Sequence, residues 1–175
     1  MKTLELFAGT GSFTKAVRKR HPHVQAFQLE LDPCEENPVD YEADIRDSYQ
    51  FPELFETEWD WLWASPPCTG FSIASVSTHW TTHWLNKKRT ESLRLPKSDT
   101  AKLGLNLLQQ TLLLIGKAKP KVWFIENPRG MMRKIFDNQT AQFGVTDYKR
   151  ETITYCKHGD SRMKPTDIWT NAHWW

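Results

Sequence analysis

Cys68 directly follows two prolines, Pro66 and Pro67, just after the apolar run 59–64. Proline cannot continue a central strand, because it lacks the N–H donor and fixes φ. The pattern predicts that a buried strand ends here and opens into a loop at the carboxyl edge of a sheet, where open α/β sheets bind ligands. A thiolate is a soft nucleophile that suits an electron-poor ring carbon, so we interpret Cys68 as a candidate nucleophile rather than core filling.

Glu126 closes a second apolar run, 122–125, and is followed by Asn127 and Pro128. Apolar surroundings raise the pKa of a carboxyl group and allow it to donate a proton near neutral pH. Such a group could protonate a heterocycle nitrogen while a thiolate adds elsewhere on the same ring. We therefore expect Glu126 to act together with the cysteine.

A glycine-rich turn, with Gly9 and Gly11, follows the apolar strand predicted for residues 2–7. Glycine permits a positive φ and a close approach to a ligand. The amides at the start of the helix predicted for residues 12–20, with Ser12 as its cap, would point toward that ligand.

Two carboxylates lie at or near the ends of the next two predicted strands. Glu30 ends the strand 24–30, and Asp44 lies in the short strand 41–45. Glu30 could accept both ribose hydroxyls of a nucleoside, and Asp44 could accept from an adenine amino group. A single Gly-x-Gly turn with these acids does not distinguish a dinucleotide from S-adenosylmethionine.

Strands predicted at 59–64, 121–126 and 149–155 alternate with helical segments, the longest at 98–118 with Ser98 or Asp99 as its cap. This rhythm predicts an α/β fold with a mostly parallel sheet and helices on both faces. The length of 175 residues suggests one domain, 1–175. The sequence shows no secretion signal, no membrane-length apolar run and no regular cysteine spacing, so we expect a cytoplasmic protein with reduced thiols and no membrane partner.

The charge is unevenly distributed: residues 28–60 carry a net −11, residues 1–27 a net +4 and residues 61–175 a net +9. A positive excess beyond the cysteine favours a nucleic-acid partner. Residues 69–97, predicted to be a long polar loop, hold the basic triplet Lys87, Lys88 and Arg89 among tryptophans. Such residues suit phosphate contact and base stacking. His79 and His83 lack an acid between them, so we expect no metal site.

Three ordered motifs together resemble the C5-cytosine DNA methyltransferases, especially the compact phage and prophage enzymes: Phe7-Ala8-Gly9-Thr10-Gly11, Pro66-Pro67-Cys68 and Glu126-Asn127-Pro128. The run 155–170 is similar to the family's arginine-containing motif, a strand and loop that touch the target base. The resemblance implies a Rossmann-like fold that uses S-adenosylmethionine, releases S-adenosylhomocysteine and methylates C5 of a cytosine flipped out of DNA. A phage could use this activity to protect its own DNA from restriction in a bacterial host.

The resemblance also implies three sets of site residues. Cys68 would add to C6, Glu126 would bind the N3/N4 edge and Arg162 would contact the base. The cofactor would lie against Phe7, Ala8, Gly9, Gly11, Ser12, Phe13, Glu30, Asp44, Ile45 and Pro66, the last also shaping the base pocket. Substrate contacts are expected from Pro67, Ser72, His79, Trp80, Lys87, Lys88, Arg89 and Lys164.

The sequence departs from the family because it is expected to lack a separate target-recognition region and the late asparagine-containing motif. Six residues of the sequence follow Trp169. Either the 69–97 segment reads the DNA, or specificity is slight, or a second chain or a second copy supplies the rest. Two alternatives stay open: a weakly active or inactive binding module of the same fold, and an amino-methyltransferase acting on N4 of cytosine or N6 of adenine. The latter share the Ser65-Pro66-Pro67 half of the loop but place an aromatic residue where Cys68 stands.

Overall fold

The computed structural model describes residues 1–158, 161 and 163–174. The strands are β1 (Lys2–Leu6), β2 (Gln25–Glu30), β3 (Tyr41–Glu42), β4 (Trp61–Ala64), β5 (Trp80–Trp84), β6 (Ser92–Pro96), β7 (Val122–Pro128), β8 (Lys149–Thr154) and β9 (Pro165–Thr170). The α-helices are α1 (Ser12–Arg20), α2 (Glu53–Glu56), α3 (Val76–His79), α4 (Asp99–Ala118) and α5 (Met132–Thr140). Short 3₁₀ turns connect several of them.

The main sheet has the order β3-β2-β1-β4-β7-β9-β8. Its first five strands run parallel to one another, whereas β9 runs antiparallel to both β7 and β8. The chain moves outward from β1 to β3 and then crosses back to β4, so the strand order reverses between β1 and β4. In open α/β sheets a crevice forms at the carboxyl ends of the strands at such a reversal. The predicted α/β fold with a mostly parallel sheet is confirmed.

Helix α4 begins where the sequence predicted, because the Ser98 hydroxyl accepts a hydrogen bond from the Ala101 N–H at 3.1 Å. Its buried face includes Leu108, Leu112 and Ile115, which belong to one core cluster with residues of β1, β4 and β7. The leucine periodicity of the sequence therefore identified the main core helix, since an apolar stripe at helical spacing must be buried to be stable.

Glycines allow the segment after Cys68 to lie directly on α4. A Cβ added at Gly70 would lie 2.7 Å from the Thr100 carbonyl oxygen, and one at Gly104 would lie 3.3 Å from the Phe71 ring. Any side chain at Gly70 would therefore push the cysteine loop away from the core helix.

The structure corrects several predicted elements. Strand β1 ends at Leu6 because Phe7 adopts a φ of 58°. The third strand stops at Glu42, since Asp44 instead caps a 3₁₀ helix over Ile45–Gln50. Residues 69–97 are not one long loop: they contain two 3₁₀ turns, α3 and the β5–β6 hairpin. Helix α5 was not predicted.

Among the residues that the structure describes, no helix combines the length and apolar character needed to cross a bilayer.

Candidate active site

The glycine turn after β1 is fixed by backbone strain and by one carboxylate. Phe7 and Gly9 both have positive φ, 58° and 49°, which is uncommon for an aromatic residue and typical of functional turns. The Gly9 N–H donates to Glu30 Oε2 at 2.8 Å, and the Leu31 N–H donates to Glu30 Oε1 at 2.8 Å. Glu30 therefore joins the turn to the end of β2, at the position where it was expected to face a ribose.

Asn37 holds the same turn from the other side. Its Nδ2 donates to the Gly9 carbonyl oxygen at 3.0 Å, and its side chain is buried. A Cβ added at Gly11 would lie 2.5 Å from Asn37 Oδ1 and 2.6 Å from Gln28 Nε2, so only glycine fits there. The sequence analysis missed Asn37, because nothing local marks an asparagine in an acidic loop as a contact of the turn.

Glu5 caps helix α1 from within the sheet. Its carboxylate accepts the N–H groups of Phe13 and Thr14 at 3.1 and 3.0 Å and the Gln28 amide at 3.1 Å. Gly11 is the N-cap residue and has no side chain to offer, and Ser12, the predicted cap, is instead the first residue of the helix. Strand β1 therefore supplies the capping carboxylate that the glycine turn lacks.

A cavity of about 190 Å³ lies between the ends of β1 and β2 and helix α4. Its walls combine the carboxylates of Glu30 and Asp44 with apolar side chains, including Phe7 and Ile45. Asp44 is engaged by Arg46, whose Nε and Nη2 donate to its two carboxylate oxygens at 3.0 and 2.6 Å. The hydrogen bonds from Arg46 lower the pKa of Asp44, which is therefore held as an anion.

The two prolines before Cys68 lie in different environments. Pro67, predicted on the substrate side, lines the cavity that contains Glu30 and Asp44. Pro66, predicted at the cofactor, is buried, and its carbonyl oxygen accepts a hydrogen bond from Asn127 Nδ2 at 2.8 Å. Asn127, on the neighbouring strand β7, thus holds the Pro66 carbonyl.

A second cavity, of about 390 Å³, opens on the other side of Phe7, which lines both. It is lined by Glu5, Phe7, Ala8, Ser12, Phe13, Trp63, Ser65, Glu126 and Tyr155. Phe13 and Trp63 stack with ring centroids 5.4 Å apart and form an aromatic wall. The structure thus places four further predicted residues, Ala8, Ser12, Phe13 and Glu126, around one space.

Glu126 lies in this second cavity and accepts a hydrogen bond from the Tyr155 hydroxyl at 2.9 Å. Burial raises the pKa of Glu126, while the hydrogen bond from Tyr155 and the charge of Lys164 act in the opposite direction. The raised pKa agrees with the protonatable carboxyl expected from the sequence. The charge of Lys164 is close enough to Glu126 to act on the pKa of that carboxyl group. Tyr155 was not assigned a function from the sequence, although it begins the run that resembles the family's arginine motif.

Cys68 is exposed at the carboxyl edge of the sheet, one turn after β4. The Phe71 N–H donates to its carbonyl oxygen at 2.9 Å, which starts a 3₁₀ turn over Thr69–Phe71. Because β4 and β7 are paired with Ala64 opposite Ile125, Glu126 lies in β7 just beyond the last residue of β4, where the cysteine loop begins. The bond from Asn127 to Pro66 links the two segments directly.

The residues expected to contact substrate fall into different environments. Trp80 is a correction: it is 4% exposed, its ring stacks on Phe71 and its indole N–H donates to the Gly70 carbonyl, so it is core rather than a base-stacking platform. His79 bonds the Ser98 hydroxyl at 2.6 Å, and Ser72 is half-buried between two 3₁₀ turns. Lys87, Lys88 and Arg89 are exposed at the hairpin tip. Arg162 lies outside the described residues.

Comparisons with known proteins agree with this geometry. A viral relative, "Probable DNA (cytosine-5)-methyltransferase" of Frog virus 3 (isolate Goorha), is 29% identical over 173 residues, which are 98% of this chain and 71% of the relative. A prophage-encoded E. coli protein described as a DNA modification methyltransferase has a similar structure, with a TM-score of 0.63, 15% identity, and coverage of 97% of this chain and 46% of its own. The S. pombe Dnmt2 methyltransferase gives a TM-score of 0.55 at 13% identity, covering 97% and 48%.

The chain spans about half the length of these two solved structures. At such low identity they show the fold alone, that of methyltransferases. The profile of C-5 cytosine-specific DNA methylases, by contrast, matches residues 1–155, which include the glycine turn, the cysteine loop and the Glu-Asn-Pro strand. The chain belongs to the C-5 cytosine-specific DNA methylase family.

Proposed function

We propose that this chain transfers a methyl group from S-adenosylmethionine to C5 of a cytosine flipped out of DNA. The observation that carries the proposal is the hydrogen bond from Asn127 Nδ2 to the Pro66 carbonyl, 2.8 Å long. It joins the loop bearing a free, exposed cysteine to the strand bearing a buried carboxyl with a raised pKa. The hydrogen bond thereby connects the loop of the proposed nucleophile to the strand of the proposed acid, and Glu126 itself lines the second cavity.

The two adjoining cavities fit the parts of the cofactor. Carboxylates and apolar walls around Glu30, Asp44 and Ile45 suit an adenosine with its hydroxyls and amino group. Ala8, Ser12 and the aromatic wall around Phe13 suit the methionine portion. When bound there, the cofactor supplies an electrophilic methyl group.

The residues of the chain would perform the remaining chemistry. The Cys68 thiolate adds to C6 of cytosine, and the C5=C6 electron pair becomes nucleophilic at C5. Glu126, kept protonatable by burial, holds the N3/N4 edge and neutralises charge that develops on the ring. After methylation at C5, a base removes the C5 proton and the electron pair re-forms the double bond as Cys68 leaves. Lys164 and Arg162 are proposed to contact the base.

The β5–β6 hairpin is also proposed to contact DNA outside the pocket. Its tip carries Lys87, Lys88 and Arg89, and the Arg89 guanidinium lies 6.0 Å from the centre of the exposed Trp84 ring. Trp84 thus takes the place of the buried Trp80 as an aromatic side chain available to nucleic acid. We propose in addition that a second chain or a second copy contributes target recognition.

The test is transfer of labelled methyl to mixed-sequence DNA by the wild type and by Cys68→Ala, with the product nucleoside identified. We expect label in 5-methylcytosine and a loss of at least about 10³-fold in the variant, because its covalent step is removed. Cys156→Ala, at another exposed cysteine, is the matched control and should keep full activity.

The outcomes separate the rival functions. Label on N4 of cytosine or N6 of adenine, surviving in Cys68→Ala, would overturn C5 chemistry and indicate an amino-methyltransferase. Absence of label from folded protein that binds S-adenosylmethionine and DNA would overturn the enzymatic proposal and favour a binding module. Covalent trapping of wild type, but not Cys68→Ala, on 5-fluorocytosine DNA would support the adduct.

A further inference from the structure

A groove of about 280 Å³ separates helix α3 and the turn before it from the start of α5. One side is apolar, with Ile73 61% exposed and Val76 half-buried. The other side carries three cations: Arg129, Arg133 and Lys134. Among the residues that the structure describes, no acidic side chain lines the groove. An apolar wall opposite a cationic wall suits a ligand that is anionic on one side and apolar on the other, such as a sugar–phosphate chain.

The three cations differ in their partners. Arg133 is paired with buried Asp167, to which its Nε and Nη2 donate at 2.8 and 2.5 Å. That ion pair fixes α5 to β9 and uses the charge of Arg133 within the protein. Arg129 and Lys134 are exposed and form no ion pair with any residue that the structure describes. Within the described part of the chain, these two cations of the groove therefore have no acidic partner.

The groove is rigidly connected to the proposed nucleophile. The Met131 N–H donates to the Phe71 carbonyl oxygen at 2.7 Å, and the Phe71 N–H donates to the Cys68 carbonyl oxygen at 2.9 Å. A Cβ added at Gly130 would lie 2.3 Å from that Phe71 oxygen, so the two segments are in direct contact. The Arg129 N–H is also held, by the Pro165 carbonyl at 2.9 Å. Two backbone hydrogen bonds thus separate the groove from Cys68.

We propose that this groove binds the phosphodiester backbone of the DNA strand near the target cytosine, with Arg129 and Lys134 on phosphates and Ile73 against a deoxyribose. The proposal rests on the proposed function and adds to it a binding site outside the reaction pocket. Contacts to phosphates position DNA without reading its sequence. The groove would therefore fix the register of the strand while the pocket receives the base.

The test measures binding of fluorescently labelled duplexes of two unrelated sequences to the full chain over a range of salt concentrations. Neutralising one phosphate contact lowers the slope of log affinity against log salt by about 0.9. We expect a decrease of about 0.9 for Arg129→Gln or Lys134→Gln and about 1.8 for the double variant, equally for both sequences. Arg129→Lys with Lys134→Arg should retain the wild-type slope, because the charges are kept.

The matched control is Lys19→Gln with Arg20→Gln, which removes the same charge from the last turn of α1, at the opposite edge of the sheet. An unchanged slope in the groove double variant, or an equal decrease in this control, would overturn the proposed site. If each variant unfolds at the same temperature as the wild type, misfolding is excluded as the cause of a changed salt dependence.

Methyl transfer measured in parallel separates this proposal from the proposed function. Groove-dependent binding without any methyl transfer would support the site and overturn the enzyme. Methyl transfer whose rate depends on DNA concentration in the same way in the wild type and the double variant would support the enzyme and overturn the site.

Discussion

At the scale of single residues, the protonation of Glu126 is set by opposing neighbours. Burial favours its neutral form, whereas the Tyr155 hydroxyl and the charge of Lys164 favour its anion. A carboxyl in this environment can hold a proton where an exposed one could not. The consequence for activity can be tested through the tyrosine, which reaches Glu126 but carries no charge of its own.

Tyr155→Phe should move the alkaline fall of activity to higher pH, because the hydrogen bond that it removes favours the anion of Glu126. Removing the donor raises the pKa of Glu126 further, so the protonated form persists to higher pH. The measurement is kcat as a function of pH at saturating DNA.

Tyr148→Phe is the control for that profile. The Tyr148 hydroxyl donates to Asp137 at 2.6 Å, and Tyr148 does not line the cavity that holds Glu126. Its loss should leave the alkaline fall in place. A shift of that fall to lower pH in Tyr155→Phe would contradict the assignment of Glu126 as the group that must be protonated.

At the scale of elements, the start of α1 depends on a carboxylate from another element. Glu5 is 4% exposed and accepts three hydrogen bonds, two of them from the first turn of the helix. A negative charge there also interacts favourably with the helix dipole. Because α1 follows the glycine turn, the same carboxylate orients one wall of the cavity that Phe13 and Glu126 line.

Glu5→Gln should destabilise the protein by about 1–3 kcal/mol, since its amide nitrogen would face an N–H donor that is buried and left without an acceptor. Urea unfolding of the variant beside the wild type measures this. Glu36→Gln, an exposed change of the same charge, should stay within about 0.5 kcal/mol of the wild type. Equal stability of both variants would show that Glu5 does not hold the helix.

At the scale of the whole molecule, Asp60 joins distant parts of the chain. Its carboxylate accepts from the Lys2 N–H at the start of β1 and from Lys121 Nζ just before β7, both at 2.7 Å. The hydrogen bond from Lys121, with that from Lys2, lowers the pKa of Asp60. A carboxyl whose pKa is lower in the folded state stabilises the fold above its unfolded pKa of about 4, and the stabilisation disappears as pH falls through the folded pKa.

Asp60→Asn should therefore lower the midpoint of thermal unfolding by about 2–4 °C at pH 7, while the difference from wild type shrinks below pH 4. Scanning calorimetry at pH 7 and at pH 3 gives both values. Asp32→Asn, whose carboxylate makes no ion pair with a described residue, should show no such pH-dependent difference. A constant difference at both pH values would mean that packing, not ionisation, explains the effect.

The sequence by itself determined the parts that depend on local chemistry. Pro66 and Pro67 had to end a strand before Cys68, the leucine spacing of 98–118 had to form a buried helix, and the apolar run 122–125 had to form a strand, which the structure extends past Glu126 to Pro128. The order of these motifs was sufficient to indicate the family that the profile over residues 1–155 shows. Each signal lies within a few residues, so propensity and periodicity express it directly.

Only the tertiary structure decided which side chains meet. The partners Asn127 and Pro66 are 61 residues apart, and Glu30 and Gly9 are 21 apart, so no local pattern announces either contact. Trp80 is buried because the β5–β6 hairpin folds back on Phe71. The polar composition of this segment had predicted a loop instead. Contacts between distant segments depend on how the sheet brings strand ends together, and that arrangement exists only once the chain has folded.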